Sequence, residues 1–111
     1  MKFKSFSTTM TGFFTQGVYG NGNTAVEVKS WEPDGQYWEP YAKVSVNTDL
    51  ALPADEFVAK NYSENAGLPE QFVAQGYFAD TGRKVQCGYV ECPVYRITDQ
   101  FRAGVGKVPE A

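Results

Sequence analysis

From Thr24 to Trp31 the side chains alternate with a period of two. Thr24, Val26, Val28 and Ser30 fall on one face, and Ala25, Glu27, Lys29 and Trp31 on the other. Successive side chains of a strand point to opposite faces, so this run predicts a half-buried strand with Val26 and Val28 inward. A second alternating run spans Tyr37 to Val46, with Ala42, Val44 and Val46 inward and Lys43 and Ser45 outward. Between them Pro33-Asp34-Gly35 has turn chemistry: proline pre-sets φ, and aspartate and glycine accept the reversal. Upstream, Phe3, Phe13, Phe14, Val18 and Tyr19 offer a core face within residues 2–19, and Gly12 marks a bulge or turn. Asn21-Gly22 tolerates positive φ at both central positions of a type I′ turn, which predicts a hairpin at Tyr19–Asn23. Residues 13–46 thus read as a three-stranded antiparallel meander.

The pattern changes after Asn47. Asn47, Asp49 and Pro53 are breakers, and Asp55–Lys60 fits a short helix or an edge strand, with the strand preferred. Ser63 and Asn65 are capping types, and Pro69 pre-sets a first helical turn. Leu68 and Phe72, four apart, lie on one face of a short helix through Gln75 that Gly76 stops. Asp80-Thr81-Gly82-Arg83 predicts a turn, and Val85–Val90 a strand with Val85, Cys87 and Tyr89 on one side. Pro93 confines Val94–Ile97 to an edge or to the far side of a bulge.

These elements predict an α+β fold: an antiparallel sheet of about five to six strands with one short helix packed on one face or end. Residues 1–101 form a single domain, and 102–111, poor in apolar side chains, a flexible tail. At 111 residues such a domain buries enough surface to fold without a disulfide or a metal. The aromatic share of 15%, chiefly Phe and Tyr, supports the strand-rich reading.

Charge narrows the partners. The net charge is −3, with acids spread from Glu27 to Glu110, which disfavours a grip on phosphate backbones and suits a solvated surface. No apolar run approaches the roughly 18 residues of a membrane span, and the start carries no apolar signal core, so the expected location is cytoplasmic. In that compartment Cys87 and Cys92 are expected as free thiols, and Cys-x4-Cys fits neither a redox CxxC nor a zinc knuckle.

Candidate chemistry is sparse, and neither a cofactor nor a metal is expected. The chain has no histidine, so a nucleophilic Cys87 or Cys92 would depend on Arg83, Lys84 or Arg96 to lower its pKa; a small core hydrophobe is the simpler reading. Asp55 and Glu56 are adjacent, point to opposite faces of a strand and read as a solvated face. Gly20-Asn21-Gly22 lacks the Gly-Lys-Ser/Thr of a phosphate loop. Asn61-Tyr62-Ser63 reads as a loop and cap rather than a glycosylation site. The strongest functional feature is Trp31, Tyr37, Trp38 and Tyr41, clustered around the Pro-Asp-Gly turn. Tyr and Trp with a polar rim are the usual anchors of a protein interface. Trp38 is expected on the Ala42 face, with Tyr37 and Tyr41 on the other.

One resemblance bears on function. Tyr62-Ser63-Glu64-Asn65-x-Gly67, the helix ending at Gly76, Thr81-Gly82-Arg83, Gly88-Tyr89-Val90 and Pro93-Val94-Tyr95-Arg96 resemble an uncharacterised domain family carried on bacterial phages, plasmids and conjugative elements. Tyr19-Gly20-Asn21-Gly22-Asn23-Thr24-Ala25 resembles its N-terminal half, so the likeness covers about residues 15–97. It brings no catalytic residues. It implies a small non-enzymatic protein that binds a protein partner, such as a host defence complex of the CRISPR-Cas kind. The acidic charge and the lack of a long apolar run add the expectation of no direct nucleic-acid or membrane contact. The alternatives are a small cysteine-dependent enzyme and an acidic nucleic-acid mimic displaying Glu27, Glu32, Asp34 and Glu39. The paired cysteines are not part of the resemblance.

Overall fold

The computed structural model of the chain describes residues 1–109. Strands β1 (Lys2–Ser5), β2 (Thr8–Val18), β3 (Thr24–Glu32) and β4 (Tyr37–Lys43) form an antiparallel meander in sequence order. Strands β5 (Ser45–Val46), β6 (Glu56–Ala59), β7 (Phe78–Cys87) and β8 (Val90–Ile97) form a second antiparallel sheet, in the order β5-β6-β8-β7. Helix α1 (Leu68–Ala74) follows a 3-10 turn at Ser63–Asn65, and helix α2 (Asp99–Gly104) follows β8. The α+β antiparallel character agrees with the sequence reading. The single sheet with one helix does not: among the described residues there are two four-stranded sheets and two α-helices. None of the described helices is long and apolar enough to cross a membrane.

Val44 is the reason one predicted strand became two. Its N–H donates to Val26 O (2.9 Å) in the first sheet, and its carbonyl accepts from Lys60 N (2.8 Å) beside the second. The chain changes sheets at this buried residue, so Ser45, expected outward, is buried instead. Its hydroxyl accepts from Val26 N at 2.9 Å and sits 2.9 Å from Tyr19 Oη.

The predicted meander is present, with a different turn at Tyr19–Asn23. Gly22 alone takes positive φ there (89°), and its N–H donates to Tyr19 O at 2.9 Å. That is a three-residue loop of type I followed by a left-handed glycine, not a type I′ turn. Gly12 bends β2: residues Thr8–Thr11 pair with β1 and Gly12–Val18 with β3. A Cβ at Gly12 would stand 2.6 Å from Lys29 O and 2.8 Å from the Phe3 ring, so only glycine permits this approach. The bend brings Phe3 on β1 against Tyr41 on β4, ring centroids 5.0 Å apart, although β1 and β4 are opposite edges of the sheet.

The main core is built from phenylalanines. Phe14 meets Phe72 edge-to-face at 4.9 Å, Phe57 meets Phe78 at 4.9 Å, and Phe101 joins both Phe14 and Phe78. Such crossed pairs add about 0.5–1.5 kcal/mol each beyond the area they bury. Val58, Cys92 and Val94 point the other way into a smaller cluster with Val46, Leu52 and Tyr62. Both faces of β6 are therefore covered, which is why all four of its residues are buried and why its pattern reads as a run rather than an alternation. β6 is also an inner strand, not the expected edge strand.

The second half departs from the sequence reading in two places. Asp80–Arg83 is not a turn but a bulge inside β7, where the register to β8 shifts and Gly82 takes φ +81°. The reversal lies at Gly88-Tyr89, between the paired Cys87 and Val90, so Tyr89 stands fully exposed at a hairpin tip rather than beside Val85 and Cys87. Pro93 lies next to the β7 bulge, as the second of its two expected settings has it, but in a strand flanked on both sides. The helix stop is as predicted, with Gly76 at φ +90°.

Residues 102–106, expected in a free tail, continue the domain. Thr98 caps α2 by accepting from Phe101 N, Phe101 is fully buried, and Gly106 N donates to Phe14 O at 2.8 Å. Of the expected tail, Glu110 and Ala111 lie outside the described residues.

Candidate functional site

β3 and β4 lose register between Val28 and Lys29: Val28 pairs with Ala42 but Lys29 with Pro40, leaving Tyr41 as the extra residue of a bulge. A bulge shifts alternation by one residue, so the strand beyond it presents its side chains to opposite faces from those expected. Trp38 therefore leaves the Ala42 face and stands opposite Trp31 on the outer face of the sheet, ring centroids 5.2 Å apart. Phe13 of β2, read from sequence only as core, meets Trp38 edge-to-face at 5.1 Å.

The four aromatic residues expected to cluster are thus divided. Trp31 and Trp38 come together. Tyr37, 49% exposed, stands opposite Glu32 with its ring over Gly35 at the turn. Tyr41 packs on Phe3, and its hydroxyl donates to Ser5 Oγ. The signal for the missing member was available in part: Phe13 and Phe14 are consecutive in a strand, so one of them had to face away from the core. Which one depends on the pairing with β3.

The Trp31–Trp38–Phe13 stripe continues into a recess of about 230 Å³ lined by Met1, Phe13, Tyr77, Lys107, Val108 and Pro109. Met1 seals one side, its N-terminal ammonium donating to Gly12 O at 2.7 Å and its pKa lowered by burial and then by Lys2. Helix α1 packs on β1 and β7, and α2 on β2. Within the aromatic stripe Trp31 and Trp38 are half-buried and Phe13 is buried.

The polar groups occupy separate places. Glu56, read as part of a solvated face, is 5% exposed and bonded to Arg83 and Arg96, while Asp55 lies half exposed, 3.9 Å from Arg96 Nε. Lys43 stands over the Tyr19 ring at 5.5 Å and Lys60 over Tyr62 at 5.7 Å, the latter ammonium also 2.5 Å from Glu64. Glu32 and Asp34 are at the β3–β4 turn, whereas Glu27 and Glu39 stand opposite Lys43 and Ser30 on the strands. Among the described residues no group of three or more His, Cys, Asp or Glu is placed to hold a metal ion. Cys87 and Cys92 are free thiols, Cys92 fully buried and pushed up to about 12, by burial first and by its neighbour Cys87 second. Comparison with protein-family models, with curated proteins and with solved structures finds no match for this chain.

Proposed function

We propose that this chain is a non-enzymatic binding module that holds a protein partner through the outer face of its first sheet. The observation that carries the reading is the Trp31–Trp38 pair on the outer face of the first sheet, propped by Phe13. Tryptophans held by ring contacts present a large, pre-ordered apolar area at small entropic cost, which is what an interface anchor requires. Tyr37, one residue from Trp38 and opposite Glu32, falls on the other face of the sheet and is not part of this surface. Tyr41, engaged with Phe3 and Ser5, is left out of it.

The resemblance to proteins of mobile elements supports a bacterial host defence complex of the CRISPR-Cas kind as the partner. The test pairs a binding measurement with a cellular one. Wild-type protein should co-purify with a defined CRISPR-Cas effector and restore transformation by a targeted plasmid. Trp31→Ala with Trp38→Ala should lose both while keeping the far-UV circular dichroism of the wild type. Undiminished effector binding by the double variant would remove the stripe from the reading. Absence of binding and protection by the wild type, across the effector types tested, would remove the defence target.

A further inference from the structure

A feature unrelated to the aromatic stripe lies at the far end of the second sheet. β7 and β8 are joined by the two-residue Gly88-Tyr89 loop, with Cys87 opposite Val90 and Val85 opposite Cys92. Directly opposed residues share a face, and so do residues two apart along a strand. Cys87 and Cys92 are therefore diagonal neighbours on one face, and both pack in the cluster around Val58 and Val94. Their exposure differs. Cys87 lines an open groove of about 460 Å³ together with Asn47, Asp49, Tyr62 and Gln86, whereas Cys92 is 0% exposed behind it.

We propose that Cys87 and Cys92 form a redox-active dithiol, with Cys87 receiving a small oxidant from the groove and Cys92 closing an intramolecular disulfide. With hydrogen peroxide as oxidant, the Cys87 thiolate attacks one peroxide oxygen, the O–O bond breaks and hydroxide departs, leaving a sulfenic acid. The Cys92 sulfur then attacks the Cys87 sulfur, the S–O bond breaks, and the second oxygen leaves as water with the proton that Cys92 gives up. Two thiols are oxidised and one peroxide is reduced to two waters. The protonated, buried state of Cys92 assigns the roles: the thiolate is the attacking form, so the groove-lining cysteine reacts first and the buried one resolves.

Closure has a mechanical consequence. Diagonal residues on paired strands stand about 7–8 Å apart at Cα, while a disulfide spans roughly 4.4–6.8 Å. The strands must draw together at the hairpin end. That end is the place to absorb the movement, because β6 pairs only with Val94–Arg96 and does not brace β8 at Cys92. A bond made under such strain is readily reduced, so the dithiol is reversible. Its formation would narrow the groove that Cys87 lines.

The experiment uses the full chain and hydrogen peroxide itself. After oxidation and alkylation under denaturing conditions, the intact mass should be two hydrogens lighter than the reduced chain, with alkylated thiols falling from two to none. Cleavage after Glu91, which separates the cysteines, should yield two fragments joined until a thiol reductant is added. Cys92→Ala should instead stop at a trappable Cys87 sulfenic acid, and in Cys87→Ala the remaining thiol should resist peroxide in the folded state. Circular dichroism shows whether either variant folds; the wild-type mass measurement decides the question even if neither does. A peroxide-treated wild type that keeps both thiols alkylatable, gains oxygen at Cys87 without losing Cys92, or links two chains would overturn the proposal.

Discussion

Glu56 of β6 places its buried carboxylate against Arg83, which the bulge of β7 brings across from the far side of β8. β8 lies between the two strands and adds Arg96, paired with Glu56 in register and bonded to its second oxygen at 3.4 Å. The carboxylate therefore ties three strands together. The Arg83 hydrogen bond, opposed by burial and assisted by Arg96, holds its pKa below the usual carboxylate range.

A lowered folded-state pKa sets the direction of the pH effect. The stabilisation is complete above the unfolded-state value and is lost as pH falls through the folded one. Glu56→Gln should cost about 1–3 kcal/mol near neutrality, less than a fully buried pair because both guanidiniums are half exposed. The gap between wild type and variant should shrink as pH is lowered from about 7 to about 3. Urea midpoints across that range measure it; a constant gap would mean that the charge contributes nothing.

Gly12→Ala should be among the costliest glycine changes. Its new methyl would meet a strand carbonyl and the Phe3 ring, neither of which can swing aside, so a loss of about 1–3 kcal/mol is expected. Denaturant unfolding gives the value, and a midpoint within error of wild type would show that the β2 bend is tolerant.

Gly76→Ala and Gly82→Ala both force a Cβ into the left-handed region and should each cost about 1 kcal/mol. At Gly76 the new Cβ would also stand 2.7 Å from Gln100 Oε1, but that exposed side chain can swing aside, so the two costs should be similar. Gly104 ends α2 without positive φ and with open space around it, so alanine there should gain about 0.5 kcal/mol. Thermal midpoints of the three variants, ranked 104 above wild type and wild type above 82 and 76, are the expected result.

Asn23→Ala tests the loop after β5. The buried Asn23 amide donates to Leu50 O at 2.8 Å and Thr48 O at 3.1 Å, and its oxygen accepts from Leu52 N at 3.1 Å. Alanine leaves these groups unpartnered, at about 1–3 kcal/mol. Amide hydrogen exchange at Leu52 should quicken markedly; unchanged exchange would show that Leu52 packing, not Asn23, holds the loop.

The sequence alone determined what depends on neighbours in the chain. Val26 and Val28 face inward because alternation is a local property of a strand, and Gly76 ends α1 because only its own φ matters. The α+β antiparallel class follows from such signals taken together. Tertiary structure decided whatever depended on a partner far along the chain. Val44 divides one alternating run between two sheets because Val26 and Lys60 claim its two backbone groups. The Tyr41 bulge, a matter of register with β3, carried Trp38 to the face of Trp31 and set Tyr41 against Phe3. Glu56 looked like a surface acid because nothing within Asp55–Lys60 indicates that Arg83 and Arg96 will close over it. A strand's pattern states which side chains share a face; only its pairing states which face becomes the core.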